Sequence, residues 1–285
     1  MDATTHAKNA EKNAQGNLLE GKTIAVIGAG NLGTTIAKRL VESGMVGANQ
    51  VIACGRNTQK LSALDGTGIR LADAAGAAKQ ADIVLLCVKP RQEDLEALFK
   101  ELGGTCAGKL VISVMAGISN AYLAQNLKGS RVIRTMPNLL AAEGRSETGI
   151  AASNAATEND RRQAMQILGC LGNCTHIGEQ QMAAWTGLSS LPGFFSEIVV
   201  AGLSQAFEEE GFGHEKANSL VISVLESTLA HLRQSGESPH AFALRVASKG
   251  GTTEASIKKA QGLALQESLK TSIAAAMGRA KELEK

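Results

Sequence analysis

Aromatic side chains are scarce in this chain of 285 residues, which carries one Trp, one Tyr and six Phe. Alanine is abundant and there are 31 glycines, a composition that suits closely packed helices and small-molecule sites lined by backbone. Neither sign of charge is in excess. The formal net charge is +2, which leaves no electrostatic footprint for nucleic acid or an anionic membrane surface. No apolar run approaches the ~20 residues of a membrane span, and no basic segment followed by an apolar one stands at the N-terminus. The expectation is a cytoplasmic protein with neither nucleic-acid nor membrane partners. The five cysteines are an odd number and do not form a secreted disulfide framework. Cys54 and Cys87 end apolar runs, as small core residues do. Cys170, Cys174 and His176 fit no common zinc spacing and no second ligand pair follows, so no metal is expected.

The length allows two modest domains, each with its own core. Residues 1–20 are polar, lack a sustained apolar face and read as a tail. Beyond them, short β-prone runs at Lys22–Ile27, Gln50–Ala53, Ala81–Val88, Leu110–Val114, Arg131–Thr135 and Thr148–Ala152 alternate with helical patterns such as Asn31–Ser43 and Asn120–Asn126. That alternation predicts a doubly wound, mainly parallel sheet over residues 21–177. After His176 no further strand is expected. Residues 178–285 read as all-α: Glu179–Gly211, interrupted or kinked at Pro192–Gly193, then His214–Gln234, Ala241–Val246, and one long helix from Thr252 to the C-terminus.

Gly28-Ala29-Gly30-Asn31-Leu32-Gly33 is a complete G-x-G-x-x-G between the first strand and the helix after it. In that context the first glycine permits a tight turn, the second lets backbone approach a pyrophosphate, and the third lets helix pack on strand. The helix N-terminus adds unpaired N–H groups and the positive end of its dipole. Residues 21–177 therefore read as an α/β Rossmann domain that binds a dinucleotide. At the end of the second strand, where an NAD site places an acid for the ribose, stand Cys54-Gly55-Arg56-Asn57, with no acid before Asp65. Arg56, helped by Asn57 or Lys60, suits a 2′-phosphate instead. NADP(H) is favoured over NAD(H).

Further segments occur in a fixed order: Cys87-Val88-Lys89-Pro90, Ser113-Val114-Met115-Ala116-Gly117-Ile118, Val132-Ile133-Arg134-Thr135-Met136-Pro137-Asn138, Thr186-Gly187-Leu188-Ser189 and Ser248-Lys249-Gly250-Gly251-Thr252-Thr253. From about Lys22 onward the chain resembles the pyrroline-5-carboxylate reductase family. The resemblance implies reduction of the C=N bond of a cyclic imino acid by NAD(P)H, giving proline. It also implies a homodimer formed through an all-α dimerisation domain, with further assembly open. By that resemblance Val88, Lys89 and Pro90 and Met115, Ala116 and Gly117 border the ribose and nicotinamide. Ser248, Gly250, Gly251, Thr252 and Thr253 hold the substrate, and the Thr253 hydroxyl reaches the imine nitrogen. The physics is compatible, because N–H groups of Gly250, Gly251 and Thr252 at a helix N-terminus form a carboxylate cradle. Helix capping explains one of these residues, but not two glycines and two threonines together.

Three departures from the family pattern stand out. Ser190-Leu191-Pro192-Gly193 replaces glycine-serine-glycine-proline, Leu139 and Leu140 replace threonine and proline, and Lys249 stands where a proline is usual. Two alternatives stay open: reduction of a different cyclic imine, and a catalytically weak NADP-binding paralogue with a regulatory role. A hydroxyacid dehydrogenase of similar layout would need a catalytic lysine on the first helix of the second domain. None occurs between Lys128 and Lys216. His214, His231 and His240 have no obvious acid partner in sequence, and no general base is assigned among them. Trp185 reads as a core or interface residue, and Arg245 as a candidate contact to a cofactor phosphate.

Overall fold

The structure, a computed structural model, describes residues 16–285. Most of the expected tail, residues 1–15, lies outside the described residues. At the tail's end Leu19 is fully buried in the sheet's first core, so that position belongs to the fold.

One sheet holds eight strands: β1 (Ile24–Ile27), β2 (Val51–Cys54), β3 (Arg70–Leu71), β4 (Ile83–Leu86), β5 (Leu110–Ser113), β6 (Arg131–Met136), β7 (Ser146–Ala152) and β8 (Gly172–His176). Their order is β3-β2-β1-β4-β5-β6-β7-β8. All neighbours run parallel except β6 and β7. The central strands are unbroken apolar runs because both faces are covered. Alternation sends Ile24 and Val26 into one core and Ala25 and Ile27 into the other. On the first face lie α1 (Asn31–Glu42) and α5 (Glu158–Leu168). On the second lie α2 (Ala74–Gln80), α3 (Gln92–Leu102) and α4 (Asn120–Asn126). The mainly parallel, doubly wound Rossmann architecture read from the sequence is the one observed.

Two strands escape a reading by apolar pattern. β3 is two exposed residues at an edge. β8 is Gly-Asn-Cys-Thr-His, with no buried residue. Pairing with β7 makes β8 a strand. Gly172, opposite Ser146, has φ +144°, and a Cβ there would lie 2.1 Å from the Ser146 carbonyl oxygen.

The chain divides into two compact units, one running to Ser189 and taking in Met277–Lys285, the other Ser190–Ala276. In chain order the later helices are α6 (Met182–Ser189), α7 (Ala201–Glu209), α8 (His214–Ser235), α9 (Pro239–Val246), α10 (Thr252–Gly262) and α11 (Leu265–Glu282). The expected interruption at Pro192 is confined to a turn. Pro192 stands in the first turn of Leu191–Phe194, where its missing N–H is no loss, and a π-helical stretch, Phe195–Val200, follows. The expected single C-terminal helix is broken instead. Gly262 ends α10, and Ala264 takes φ +50°, the one non-glycine residue with positive φ among those described. A left-handed residue at this position stops one helix before the next begins. Within Ser190–Ala276, small or short side chains (Ser204, Ala217 and Val221) are buried, while Leu220, Val224, Leu229 and Leu244 stay exposed.

Among the described residues one helical stretch, Glu179–Glu209, is long and apolar enough by length and composition to cross a membrane, and 6% of its apolar window is buried. The expectation that no apolar run approaches the length of a span therefore does not hold for this stretch, which includes the single charge of Glu197 within its apolar part.

Candidate active site

The carboxyl ends of β1, β2, β4, β5 and β6 share one edge of the sheet, where ligands of open α/β sheets bind. There the chain turns sharply from β1 into α1. The N–H groups of Gly28 and Ala29 both donate to the Cys54 carbonyl, at 2.8 and 2.7 Å. Gly28 has φ +100°, and a Cβ on it would stand 2.6 Å from the Val88 nitrogen. A Cβ on Gly33 would stand 2.3 Å from the Gly28 carbonyl oxygen. Gly30 differs, since a Cβ there would meet nothing nearer than 3.9 Å. It caps α1 without any side-chain hydrogen bond to the helix. Two glycines are thus required by close packing, and the third opens a space in front of unpaired helix N–H groups. The arrangement fits a dinucleotide pyrophosphate.

Beyond β2, Arg56 Nη1 donates to Asp94 Oδ1 across 2.7 Å. The hydrogen bond from Arg56 holds the Asp94 carboxyl below its usual range against some desolvation, with Arg91 adding to the effect. Asp94 in turn raises the Arg56 guanidinium. Asn57 accepts from the Lys60 N–H, capping the turn Thr58–Leu61, and Lys60 Nζ donates to Asn31 Oδ1 at 2.7 Å. Lys60 is thus tied to the start of α1, and Arg56 to the first turn of α3.

After β4, burial pushes the Cys87 thiol up to about 12, the direction expected of a core thiol. Its N–H donates to Ile27, bringing the Val88-Lys89-Pro90 loop alongside the glycine turn. Cys54 is likewise raised, chiefly by burial. The loop Met115-Ala116-Gly117 follows β5 and is met by the last residues of the chain. Lys285 N–H donates to the Gly117 carbonyl at 2.8 Å, and Ser119 N–H donates to the Lys285 carbonyl at 3.0 Å. Gly117 has φ +73°, and a Cβ there would lie 2.6 Å from the Leu283 carbonyl oxygen. On β6, Arg134 is 3% exposed and bonds both Glu179 and Glu284. Sequence reasoning assigned it no role, although one charge inside Val-Ile-Arg-Thr-Met was a signal.

Leu139 and Leu140 follow β6 on the same sheet edge, and Leu139 is 80% exposed. Trp185 donates from Nε1 to the Met136 carbonyl at 3.0 Å and packs over Gly149.

In the second unit, the segment Ser248–Thr253 leads into α10. Gly250 has φ +76°, and its N–H donates to Glu254 Oε2 at 2.6 Å; Gly251 N–H donates to the Ser248 carbonyl at 3.0 Å. Two of the three N–H groups expected to cradle a carboxylate are therefore engaged within the loop. Glu254 also pairs with Lys258 at 2.8 Å, and the hydrogen bonds from Lys258 and Gly250 lower its carboxyl. The departing Lys249 is exposed.

Of His214, His231 and His240, the first two have acid partners that linear sequence hides. His214 Nδ1 lies 2.8 Å from Glu208, and His231 lies 3.5 Å from Glu237. Arg245 bonds Glu237 through Nε and Nη2 and His231 through Nη2. Cys170 donates to the Ile167 carbonyl at 3.0 Å. Among the described residues no three His, Cys, Asp or Glu side chains gather as metal ligands would.

Comparison with known proteins treats the two halves separately. Residues 23–117 match the family described as NADP oxidoreductase, coenzyme F420-dependent, and residues 179–283 match pyrroline-5-carboxylate reductase dimerisation. The pyrroline-5-carboxylate reductase of Thermus thermophilus is 31% identical over 262 residues, covering 91% of this chain and 98% of the relative. That of Methanosarcina acetivorans is 29% identical over 271 residues, covering 94% and 100%. Among solved structures, a pyrroline-5-carboxylate reductase from Coxiella burnetii superposes with a TM-score of 0.84 at 28% identity, covering 93% of this chain and 99% of its own. The Plasmodium falciparum pyrroline carboxylate reductase with NADP bound has a TM-score of 0.82 at 16% identity over 93% and 98%, a likeness of fold alone.

Proposed function

Because the chain belongs to the pyrroline-5-carboxylate reductase family, we propose that it reduces the C=N bond of 1-pyrroline-5-carboxylate to give proline, with NADPH as the preferred reductant. The observation that carries this reading is the glycine turn. Gly28 and Gly33 are closed by packing while Gly30 stays open before an uncapped helix. In this reading Gly28, Ala29, Gly30, Asn31, Leu32 and Gly33 receive the pyrophosphate. Arg56 and Asn57, with Lys60, face the 2′-phosphate. Val88, Lys89, Pro90, Met115, Ala116 and Gly117 border the ribose and nicotinamide.

When bound, the reduced nicotinamide supplies the hydride for the imine carbon. The chain's own work is to hold the two reactants together, and positioning of that kind accounts for roughly 7–11 kcal/mol of a barrier. Ser248, Gly250, Gly251 and Thr252 surround the substrate carboxylate, and the Gly250 and Gly251 N–H groups reach it only by leaving Glu254 and the Ser248 carbonyl. The Thr253 hydroxyl sits at the imine nitrogen and passes on the proton that nitrogen gains. Residues 21–177 act as the cofactor domain and 178–285 as the substrate and dimerisation domain of a cytoplasmic homodimer. The exposed apolar side chains Leu220, Val224, Leu229 and Leu244 are the surface a second subunit covers.

One observation favours a second reading. Leu139, 80% exposed on the cofactor edge, suits a cyclic imine with an apolar substituent. The test is purified protein with NADPH and a panel of cyclic imino acids, followed by loss of reduced-nicotinamide absorbance and detection of product. Fastest turnover of pyrroline-5-carboxylate supports the first reading. A faster substituted imine supports the second, and bound NADPH without turnover of any imine contradicts both.

A further inference from the structure

We infer that the Arg56–Asp94 ion pair is a clasp across the adenosine end of the cofactor slot, and that the negative charge of Asp94 limits the preference for NADPH. The inference rests on the assignment of Arg56 to the 2′-phosphate. Arg56 stands two positions beyond the end of β2 and Asp94 in the first turn of α3, which follows β4. β2 and β4 are the two neighbours of β1. A contact of 2.7 Å between residues 38 positions apart therefore crosses the carboxyl end of β1, where the Gly28 turn leaves the sheet. The adenosine of a dinucleotide lying on that turn has to pass the same place.

An acid in the first turn of a helix is ordinary, since the dipole favours it. The dipole does not account for a guanidinium reaching it from the other side of β1. The two partners are held differently, with side-chain exposure of 85% for Arg56 and 24% for Asp94. The carboxylate is the fixed post and the arginine is the swinging arm. Only Nη1 is engaged, so Arg56 keeps donors for a phosphate while still bound to Asp94. An exposed pair of this kind opens easily. Its lasting effect is the charge it leaves, because Asp94 puts a negative group beside the cations Arg56 and Arg91, and a 2′-phosphate dianion is repelled by it. NADH lacks that phosphate and feels the charge only through its pyrophosphate.

Asp94→Asn keeps the side chain's size and an acceptor for Arg56 but removes the charge. Fluorescence titrations of wild type, Asp94→Asn and Arg56→Ala with NADPH and NADH, each at two salt concentrations, test the inference. Asp94→Asn should tighten NADPH by about threefold to tenfold, with a steeper salt dependence, and change NADH less than twofold. Arg56→Ala should weaken NADPH about tenfold and remove most of the discrimination. Weakened or unchanged NADPH binding in Asp94→Asn, beside a clear loss in Arg56→Ala, would overturn the clasp and leave the Arg56 assignment standing. Unchanged NADPH binding in Arg56→Ala would remove that assignment and the clasp with it.

Discussion

Arg134 donates from Nη1 to Oε1 of Glu179 across 3.0 Å, although the two residues stand 45 positions apart in the chain. The same guanidinium, 3% exposed, also bonds Glu284, and Asn120 donates to Glu179 from both its N–H and its side-chain amide. One buried cation on β6 thus ties two distant segments to the carboxyl edge of the sheet: the lead into α6 and the last residues of the chain, which lie against Met115–Gly117.

Removing that cation takes the counter-ion from both carboxylates and leaves Glu179 only its Asn120 donors. Breaking a buried pair costs about 3–5 kcal/mol. Glu179 and Glu284 are each about a third exposed, so solvent screening reduces the figure for Arg134→Met to about 2 kcal/mol. Urea unfolding of variant and wild type measures it. A loss below ~0.5 kcal/mol would mean that the network does not hold these segments.

Asp160 sets an acid limit on the fold. It is desolvated, with 2% side-chain exposure, which by itself raises its pKa. The hydrogen bonds from Arg131 Nε at 2.8 Å and from Thr157 overcome this and lower it. A carboxyl whose folded pKa is depressed stabilises fully above its unfolded value, and the contribution fades as pH falls through the lowered one. Wild-type stability should therefore fall below about pH 4 more steeply than that of Asp160→Asn, which is weaker at neutral pH by about 1–3 kcal/mol. Equal acid slopes in pH-resolved unfolding curves would contradict this.

Thr253→Ala should lower kcat for imine reduction by about a hundredfold, the lower end of what a positioned proton donor supplies, with NADPH affinity unchanged. Thr253→Ser should recover most of the rate. Full turnover in the alanine variant, measured by steady-state kinetics, would take the hydroxyl out of the mechanism.

The sheet's centre was legible in the sequence because β1, β4 and β5 are apolar on both faces, and the glycine turn because its spacing sits between a strand and a helix. β8 was not, since Gly-Asn-Cys-Thr-His carries no apolar period and becomes a strand only by pairing with β7. The break at Ala264 was hidden because alanine gives no local sign of a positive φ. Asp94 drew no reading from the sequence, and its pairing with Arg56 emerges only when β2 and β4 are placed on either side of β1. The ties of Arg134 to Glu179 and Glu284 span 45 and 150 positions, beyond the reach of any local pattern.

The docking of phosphates on the turn after β1 is the claim on which the rest depends, and Gly30→Ala tests it most directly. Its backbone, at φ −82°, accepts an L residue, and the new Cβ meets no protein atom nearer than 3.9 Å. The variant should fold with wild-type stability, within ~0.5 kcal/mol. Gly33→Ala, whose Cβ would press on the Gly28 carbonyl, should lose about 1–3 kcal/mol. Calorimetric titration of Gly30→Ala with NADPH should show affinity reduced by at least about tenfold, because the methyl fills the space the pyrophosphate needs. Wild-type affinity in that variant would contradict the account.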